Sequence, residues 1–275
     1  MKSVLYWTLA VIITFAAIIY QRRTGPTYDK KVSATIENVV YNFKLVRSHG
    51  GESDCKIQLA VPDPEVTGKM MFKLYPTKND WTIIDFTREG ENLIAFLPKL
   101  PPAGKYEYKV SLFKNNSEYA LNKSEPVIIR FKGHVPAFVL IPHIILMFFA
   151  MFLGNVAGIM AFFKHAKFRF YGTLTVIFLF IGGMILGPIV QKYAFGEFWA
   201  GIPFAWDLTD NKTLVSFLFW GLAWVMNRKK ERPLYTIVAS IVMILVYSIP
   251  HSMHGSQLDP ETGEIIQGWI QIMLF

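Results

Sequence analysis

The sequence predicts a membrane α-helical bundle of five transmembrane helices, with an all-β domain inserted between helices 1 and 2. Hydrophobic residues make up 52% of the 275-residue chain and charged residues only 17%, whereas a soluble domain has roughly 25% charged residues. The apolar residues fall into long blocks, as they do in membrane proteins. Between the first two blocks, residues 24–133 are polar with alternating apolar positions, which is typical of β-strands.

The first apolar block predicts an N-terminal membrane anchor over residues 1–23. Residues Val4–Tyr20 are apolar throughout and lie between Lys2 and the pair Arg22-Arg23. The segment ends without the small-x-small pattern that a signal peptidase needs. We therefore expect an anchor that stays in the membrane.

Residues 24–133 predict an extracytoplasmic, antiparallel β-sandwich of the immunoglobulin or fibronectin type. Turn signals rich in Gly, Pro, Asn and Asp recur between short apolar-alternating stretches, which is the pattern of such sandwiches. The expected strands are Lys31–Val39, Tyr41–Arg47, Lys56–Val61, Lys69–Tyr75, Trp81–Thr87, Asn92–Leu97, Tyr106–Lys114 and Pro126–Phe131. The second apolar block follows without a flexible linker, so we expect the sandwich to be held close to the membrane surface.

Residues 134–256 predict a four-helix membrane domain. Its expected helices are Pro136–Phe163, Tyr171–Val190, Leu214–Met226 and Leu234–Pro250. Basic residues cluster in the two short loops 164–169 and 228–232, and the positive-inside rule places both loops in the cytoplasm.

This orientation predicts a cytoplasmic N-terminus and an outer C-terminus. The β-sandwich, the aromatic loop 187–213 and the tail 257–275 then lie outside the cytoplasm, and the tail is expected to lie at the membrane interface. We expect the protein to reside in the cytoplasmic (inner) membrane of a bacterium.

Charge and motifs exclude several functions. The net charge is +8, but much of the excess lies in the two short loops, so we expect the lipid bilayer and no nucleic acid as a partner. The single cysteine, Cys55, rules out an intramolecular disulfide. Glycine-rich phosphate loops, G-x-S-x-G and H-E-x-x-H are missing from the sequence. The enzyme class is therefore left open.

The histidines carry the main functional hypothesis. His134 precedes the second predicted helix, His143 lies within it, and His251 and His254 follow the fifth. The predicted topology puts all four on the outer side, and an ionisable residue inside a membrane helix suggests function. Neutral imidazole ligates haem iron and copper, so we expect haem b or copper here, with Met253 as a further soft ligand. The alternative is that carbonyls and water satisfy these histidines and no cofactor binds.

The aromatic loop supplies the remaining candidates. Trp199 and Trp206 are expected to shield the cofactor, and Asp207 to accept a hydrogen bond from a ligand histidine. Asp207, Thr209 or Asp210 would also suit the N-terminus of the fourth predicted membrane helix, and Asp210 is the favoured capping residue.

Two glycine pairs predict close helix packing. Gly154 and Gly158, and Gly183 and Gly187, have the small-xxx-small spacing of helix contacts in membranes. We expect them to join the second and third helices, with Asn155 hydrogen bonding across the contact.

Two functions from different classes remain. The first is a membrane protein that binds haem b or a transition metal at its outer face, in electron transfer or metal handling, with the β-sandwich docking an extracytoplasmic protein. The second is a non-catalytic scaffold or assembly subunit whose sandwich binds such a partner. A bound chromophore or metal would favour the first function.

Overall fold

A computed structural model describes residues 2–122, 125–250 and 255–267. The chain divides into two compact units. The helical unit comprises Met1–Pro26, Val135–Ser256 and Gln267–Phe275. The β unit comprises Thr27–His134 and Gln257–Ile266.

The helical unit consists of long helices joined by short loops. In chain order they are α1 (Lys2–Thr24), α2 (Ala137–Phe162), α3 (Phe168–Phe178), α4 (Gly187–Phe195), α5 (Leu208–Asn227) and α6 (Pro233–Ser248). A π-helical segment, Leu179–Leu186, joins α3 to α4, so this part of the chain is helical without a break.

Three helices in the described part of the chain are long and apolar enough to cross a bilayer. They are Val4–Thr24, Ala137–Phe162 and Phe168–Phe195. Large apolar side chains remain exposed on their surfaces, for example Phe138 at 76% and Ile144 at 55%. Such surfaces are compatible with contact with lipid.

Helix α2 lies at the centre of the helical unit, in contact with α1, α3, α4 and α6. A Cβ atom at Gly154 would lie 2.8 Å from the sulfur of Met243, and one at Gly158 would overlap Ser240. Gly158 therefore admits α6, whereas Gly154 also lies against α3, where its Cβ atom would be 3.4 Å from Thr175 Cγ2. The predicted contact with the third membrane helix is thus present at Gly154, and α6 is an additional partner. Asn155 Nδ2 donates to Thr14 Oγ1 of α1 at 2.9 Å.

The β unit contains two sheets and a separate hairpin. Its strands are β1 (Lys30–Ile36), β2 (Val39–Leu45), β3 (Ser48–Gly50), β4 (Cys55–Ala60), β5 (Thr67–Leu74), β6 (Thr82–Asp85), β7 (Thr87–Glu89), β8 (Asn92–Leu97), β9 (Lys105–Lys114), β10 (Ser117–Ala120) and β11 (Val127–Lys132). The larger sheet has the order β3-β11-β9-β5-β6, with β10 on β9, and the smaller sheet has the order β4-β8-β7. Strands β1 and β2 form the hairpin.

One hydrophobic core joins these sheets. It includes Phe43 of the hairpin, Leu59 of the smaller sheet and Tyr108 of the larger sheet, all buried. Burial alternates strictly along β4, because successive side chains of a strand point to opposite faces.

Strands β3, β7 and β10 were not predicted as separate elements. The chain reaches β10 through a two-residue turn, Asn115-Asn116, whose φ angles of 49° and 60° are both positive. Asparagine tolerates this conformation well, and it forms tight hairpin turns. Strand β3 is only three residues long and pairs in parallel with β11, a non-local contact that no local pattern indicates. The all-antiparallel pairing that the sequence predicted is therefore incomplete.

The tail divides differently from the sequence prediction, which treated residues 257–275 as a separate interfacial segment. Residues Gln257–Ile266 belong to the β unit, where strand β12 (Ser256–Leu258) pairs with β13 (Ile265–Gln267). Leu258 N donates to Ala103 O at 3.1 Å. This backbone hydrogen bond attaches the β12–β13 hairpin to the β unit.

Candidate functional site

The ring of His143 is fixed by the π-helical segment. Its Nδ1 lies 2.8 Å from Gly182 O, the same carbonyl that accepts the backbone N–H of Gly187. Because a carbonyl oxygen can only accept, Nδ1 carries the hydrogen. Nε2 of the neutral ring then keeps its lone pair, which is the usual arrangement of a metal-ligating histidine.

The sequence places a glycine where this arrangement needs room. A Cβ atom at Gly182 would lie 2.8 Å from Leu146 Cβ of α2. Glycine at this position therefore lets α2 approach the π-helical segment closely. A Cβ atom at Gly187 would lie 3.9 Å from Cε1 of His143, an ordinary van der Waals contact that places this residue beside the ring.

Asp207 caps helix α5 and holds a second segment of the chain. Its Oδ1 accepts from the backbone N–H of Thr209 at 2.7 Å and of Asp210 at 3.3 Å. Its Oδ2 accepts from the backbone N–H and the hydroxyl of Ser256 at 2.9 and 3.2 Å. The side chain is 2% exposed. Of the three capping candidates, Asp207 therefore caps the helix, and not the favoured Asp210.

Asp210 and Asn211 hold the aromatic loop. Asp210 Oδ2 accepts from Ala200 N at 2.7 Å, and Asn211 Oδ1 accepts from Ile202 N at 2.7 Å. Both side chains reach back from the first turn of α5 to the loop that precedes it. The polar cluster that the sequence singled out thus fixes this loop to the end of a helix.

The segment around Ile249 is attached to the same end of the bundle. Lys212 Nζ donates to Ile249 O at 2.6 Å, and Gln21 Nε2 donates to it at 3.3 Å. On α4, Gln191 Nε2 donates to Ser256 Oγ at 3.3 Å. The sequence analysis did not predict Gln21, Gln191 or Lys212 as functional residues. It considered metal-ligand residue types and did not consider other polar side chains inside apolar helices.

These contacts fix Ile249 and Ser256 at one end of the helical unit. Residues 251–254 are bounded by Pro250, next to the fixed Ile249, and by Gly255, next to the fixed Ser256. Gly187 lies beside the His143 ring, and Gln191 is hydrogen bonded to Ser256. These two residues of helix α4 are separated by about one turn, or about 6 Å along the helix axis. The imidazole of His143 is thus close to the anchor of this segment.

The other predicted site residues are distributed differently. His251, Met253 and His254 lie outside the described residues. His134 belongs to the β unit. Trp199 donates its indole N–H to Ile202 O at 3.1 Å, within the aromatic loop. Trp206 is 61% exposed.

Residues 2–122, 125–250 and 255–267 contain no group of three or more His, Cys, Asp or Glu side chains that could hold a metal ion. The described donor set is therefore His143 Nε2, because the carboxylates of Asp207 and Asp210 accept backbone hydrogen bonds. His143 would supply one imidazole ligand to a haem iron, and the predicted second ligands, His251 and His254, lie outside the described residues. A multidentate copper site would need further donors.

The β unit contains a buried basic pair. Lys105 and Arg130 are opposite each other on strands β9 and β11, and Arg130 is 5% exposed. Burial, and secondarily the charge of Arg130, lower the pKa of Lys105 to about 7. Its Nζ donates to Gln257 Oε1 at 2.6 Å. This hydrogen bond again attaches the β12–β13 hairpin, so the lysine has a structural role.

No family model, curated protein or solved structure matches the chain. The class of the protein therefore follows from its own fold and contacts. It has a helical unit with three apolar helices of bilayer length and a mixed-sheet β unit with its own core.

Proposed function

We propose that this protein is an integral membrane protein that binds haem b or a transition metal at its outer face. Its role would be electron transfer or the handling of the cofactor. His143 would supply one ligand through Nε2, and His251 or His254 the other, with Met253 as a soft alternative. The observation that carries the proposal is the fixed ring of His143, whose Nδ1–H donates to Gly182 O.

The position of the second segment supports this choice. Ile249 and Ser256 are both hydrogen bonded to the end of the bundle where His143 lies. Six residues, 250–255, separate these anchors in the sequence, and an extended chain covers about 3.5 Å per residue. The proposal requires His251 or His254 to approach the imidazole of His143 from between these anchors.

A bound haem b or copper would supply one-electron redox chemistry. The residues of the chain would orient it, since the Gly182 carbonyl fixes the tautomer and the ring plane of His143. Asp207 and Asp210 would act indirectly, by holding the segments that line the site.

The proposed architecture is five transmembrane helices with a cytoplasmic N-terminus and an outer C-terminus. Exposed apolar side chains on the two shorter helices support this count, for example Leu218 and Leu222 on α5 and Ile241 and Leu245 on α6. The basic loops 164–169 and 228–232 support the orientation. The cytoplasmic membrane of a bacterium is the proposed location.

The β unit would be an immunoglobulin- or fibronectin-like sandwich that docks an extracytoplasmic protein. The shared core of its two sheets and the strict alternation of burial along β4 support this fold. In an electron-transfer or metal-handling protein, such a domain would bring the partner to the outer face.

Absorption spectroscopy tests the proposal. The full chain, purified in detergent from cells supplied with haem and copper, is measured oxidised and dithionite-reduced, with metal analysis of the same sample. We expect a Soret band that shifts on reduction, or copper near one atom per chain. His143→Ala should remove or strongly shift this signal, because it removes a ligand.

His165→Ala is the matched control. His165 lies in the basic loop 164–169, where its ring accepts a hydrogen bond from Lys167 N, and the variant should keep the wild-type spectrum. A colourless, metal-free wild-type protein would overturn the cofactor proposal.

The alternative is a non-catalytic scaffold subunit. The polar contacts of Asp207, Asp210 and Lys212 favour it, because all of them fix helix ends and loops. Under this alternative, a complex with an extracytoplasmic partner would form equally well with His143→Ala.

A further inference from the structure

A cavity at the opposite end of the bundle is not used by the proposed cofactor site. It has a volume of about 240 Å³ and lies between the first turns of α3, the last turns of α5 and the start of α6. Its lining includes Arg169, Thr173, Trp220, Asn227 and Arg228. Both basic loops, 164–169 and 228–232, adjoin these helix ends.

Two guanidinium groups give the cavity its charge. Arg169 Nη2 donates to the backbone carbonyl of Arg228 at 2.7 Å, which brings the two side chains to the same rim. The guanidinium of Arg228 lies over the ring of Trp224 at 4.9 Å. Neither arginine forms an ion pair with a carboxylate within the parts of the chain that the structure describes. Their positive charges are thus available to an anion.

The wall of the cavity also contains an unused donor. Trp220 is 1% exposed, and its indole N–H has no hydrogen-bond partner among the described residues. An unsatisfied buried donor costs about 1–3 kcal/mol, so such groups usually have a function or a bound partner. The Thr173 side chain adds a hydroxyl, although its Oγ1 already donates to Arg169 O at 2.9 Å.

The site also has an open side. Arg228 is exposed and Trp224 is 38% exposed, so the cavity opens at the surface of the helical unit. The indole of Trp224, which is part of the lining, adds an exposed apolar surface beside the arginines. A ligand there would have an anionic head between the arginines and an apolar body along the helices.

We infer that this cavity binds a phosphate group, presented by the headgroup of an anionic membrane lipid. Arginine is the residue best suited to phosphate, because its planar guanidinium donates two parallel hydrogen bonds. Basic pockets between helices on the cytoplasmic side of membranes bind such headgroups. A soluble phosphate compound has the same chemistry, and the experiment distinguishes the two sources.

The test uses native mass spectrometry of the full chain, purified in nonionic detergent and stripped of lipid. It is titrated in parallel with phosphatidylglycerol and with phosphatidylcholine, and its melting temperature is recorded with each lipid and with inorganic phosphate. We expect phosphatidylglycerol to bind about tenfold more tightly than phosphatidylcholine, since each basic contact contributes modestly. The double variant Arg169→Gln/Arg228→Gln should reduce this preference to about twofold or less.

Lys229→Gln/Lys230→Gln is the matched control. It removes the same charge from the same end of the bundle, but outside the cavity lining, and it should keep the wild-type preference. Arg228→Gln alone provides a variant that should fold normally, because its side chain is exposed, and it should lose part of the preference.

The outcomes separate the sources of the phosphate. If inorganic phosphate raises the melting temperature of the wild type but not of the double arginine variant, the phosphate site stands and its ligand is soluble. If phosphatidylglycerol alone has this effect, the ligand is the lipid headgroup. Equal losses in the arginine and lysine variants, or no preference in the wild type, would overturn the proposal.

Discussion

At the scale of single residues, one carboxylate connects two distant parts of the chain. Asp207 satisfies the first free N–H groups of α5 and also binds Ser256 through its backbone and hydroxyl. A capping side chain usually serves only its own helix. Because both carboxylate oxygens accept hydrogen bonds here, Asp207 fixes the helix start and the chain that follows residues 251–254 at once.

We expect Asp207→Ala to destabilise the helical unit by about 2 kcal/mol or more, since it removes a helix cap and a buried charged acceptor. The melting temperature of the purified protein in detergent would measure this loss. Glu197→Ala is the control, because Glu197 lies in the same aromatic loop and accepts no hydrogen bond from the described residues. Equal melting temperatures of the two variants would show that the hydrogen bonds of Asp207 do not stabilise the helical unit.

At the scale of elements, glycines determine which helices meet. The spacing of Gly154 and Gly158 indicated a helix contact but not its partner, since the spacing describes one helix only. In the structure α6 brings Ser240 against Gly158 and Met243 against Gly154, and Gly154 also faces Thr175 of α3. The second glycine pair behaves differently, because Gly183 faces Thr213 of α5 as well as Met147 of α2.

Gly158→Ala should destabilise the protein by about 1–3 kcal/mol, because its Cβ would overlap the side chain of Ser240. Ser240→Gly removes the clashing atoms, so the double variant should recover most of the loss in a double-mutant cycle. Gly221→Ala on α5 is the control, since its Cβ would meet nothing within 4 Å. Thermal unfolding in detergent measures all four proteins. Additive effects of Gly158→Ala and Ser240→Gly would contradict the proposed contact.

At the scale of the whole molecule, the chain carries two units of different chemistry. The helical unit exposes apolar side chains, whereas the β unit buries a core of its own. The proposed topology puts the β unit outside the cytoplasm and the loop 228–232 inside it. In this arrangement the β unit faces the outer compartment, the loop 228–232 faces the cytoplasm, and the apolar surface of the helical unit faces lipid.

Labelling of single cysteines tests this topology. In a Cys55→Ala background, a membrane-impermeant maleimide should label Lys78→Cys in intact spheroplasts, because residue 78 lies in an exposed loop of the β unit. Lys230→Cys should react only after the membrane is permeabilised. The opposite pattern would reverse the orientation, and labelling of both in intact spheroplasts would contradict the five-helix count.

Local patterns sufficed for many of the elements. Asn92–Leu97 was predicted as a strand with the bounds that β8 has, because its neighbours Gly90 and Pro98 interrupt the chain on either side. Helix α5, which Asp207 caps, begins at Leu208, earlier than predicted. The prediction started at Leu214 because hydropathy does not recognise a polar first turn that is held by tertiary hydrogen bonds.

The sequence alone determined what depends on neighbours along the chain. Block hydropathy gave the three apolar helices of bilayer length, and alternation of apolar residues gave the strands of the β unit. Tertiary structure decided what depends on distant partners. Examples are the contact of α2 with α6, the hydrogen bond from His143 to Gly182, and the hydrogen bond from Ser256 N to Asp207. The physical reason is that periodicity records which face of an element is apolar, whereas a hydrogen bond between remote residues leaves no periodic trace.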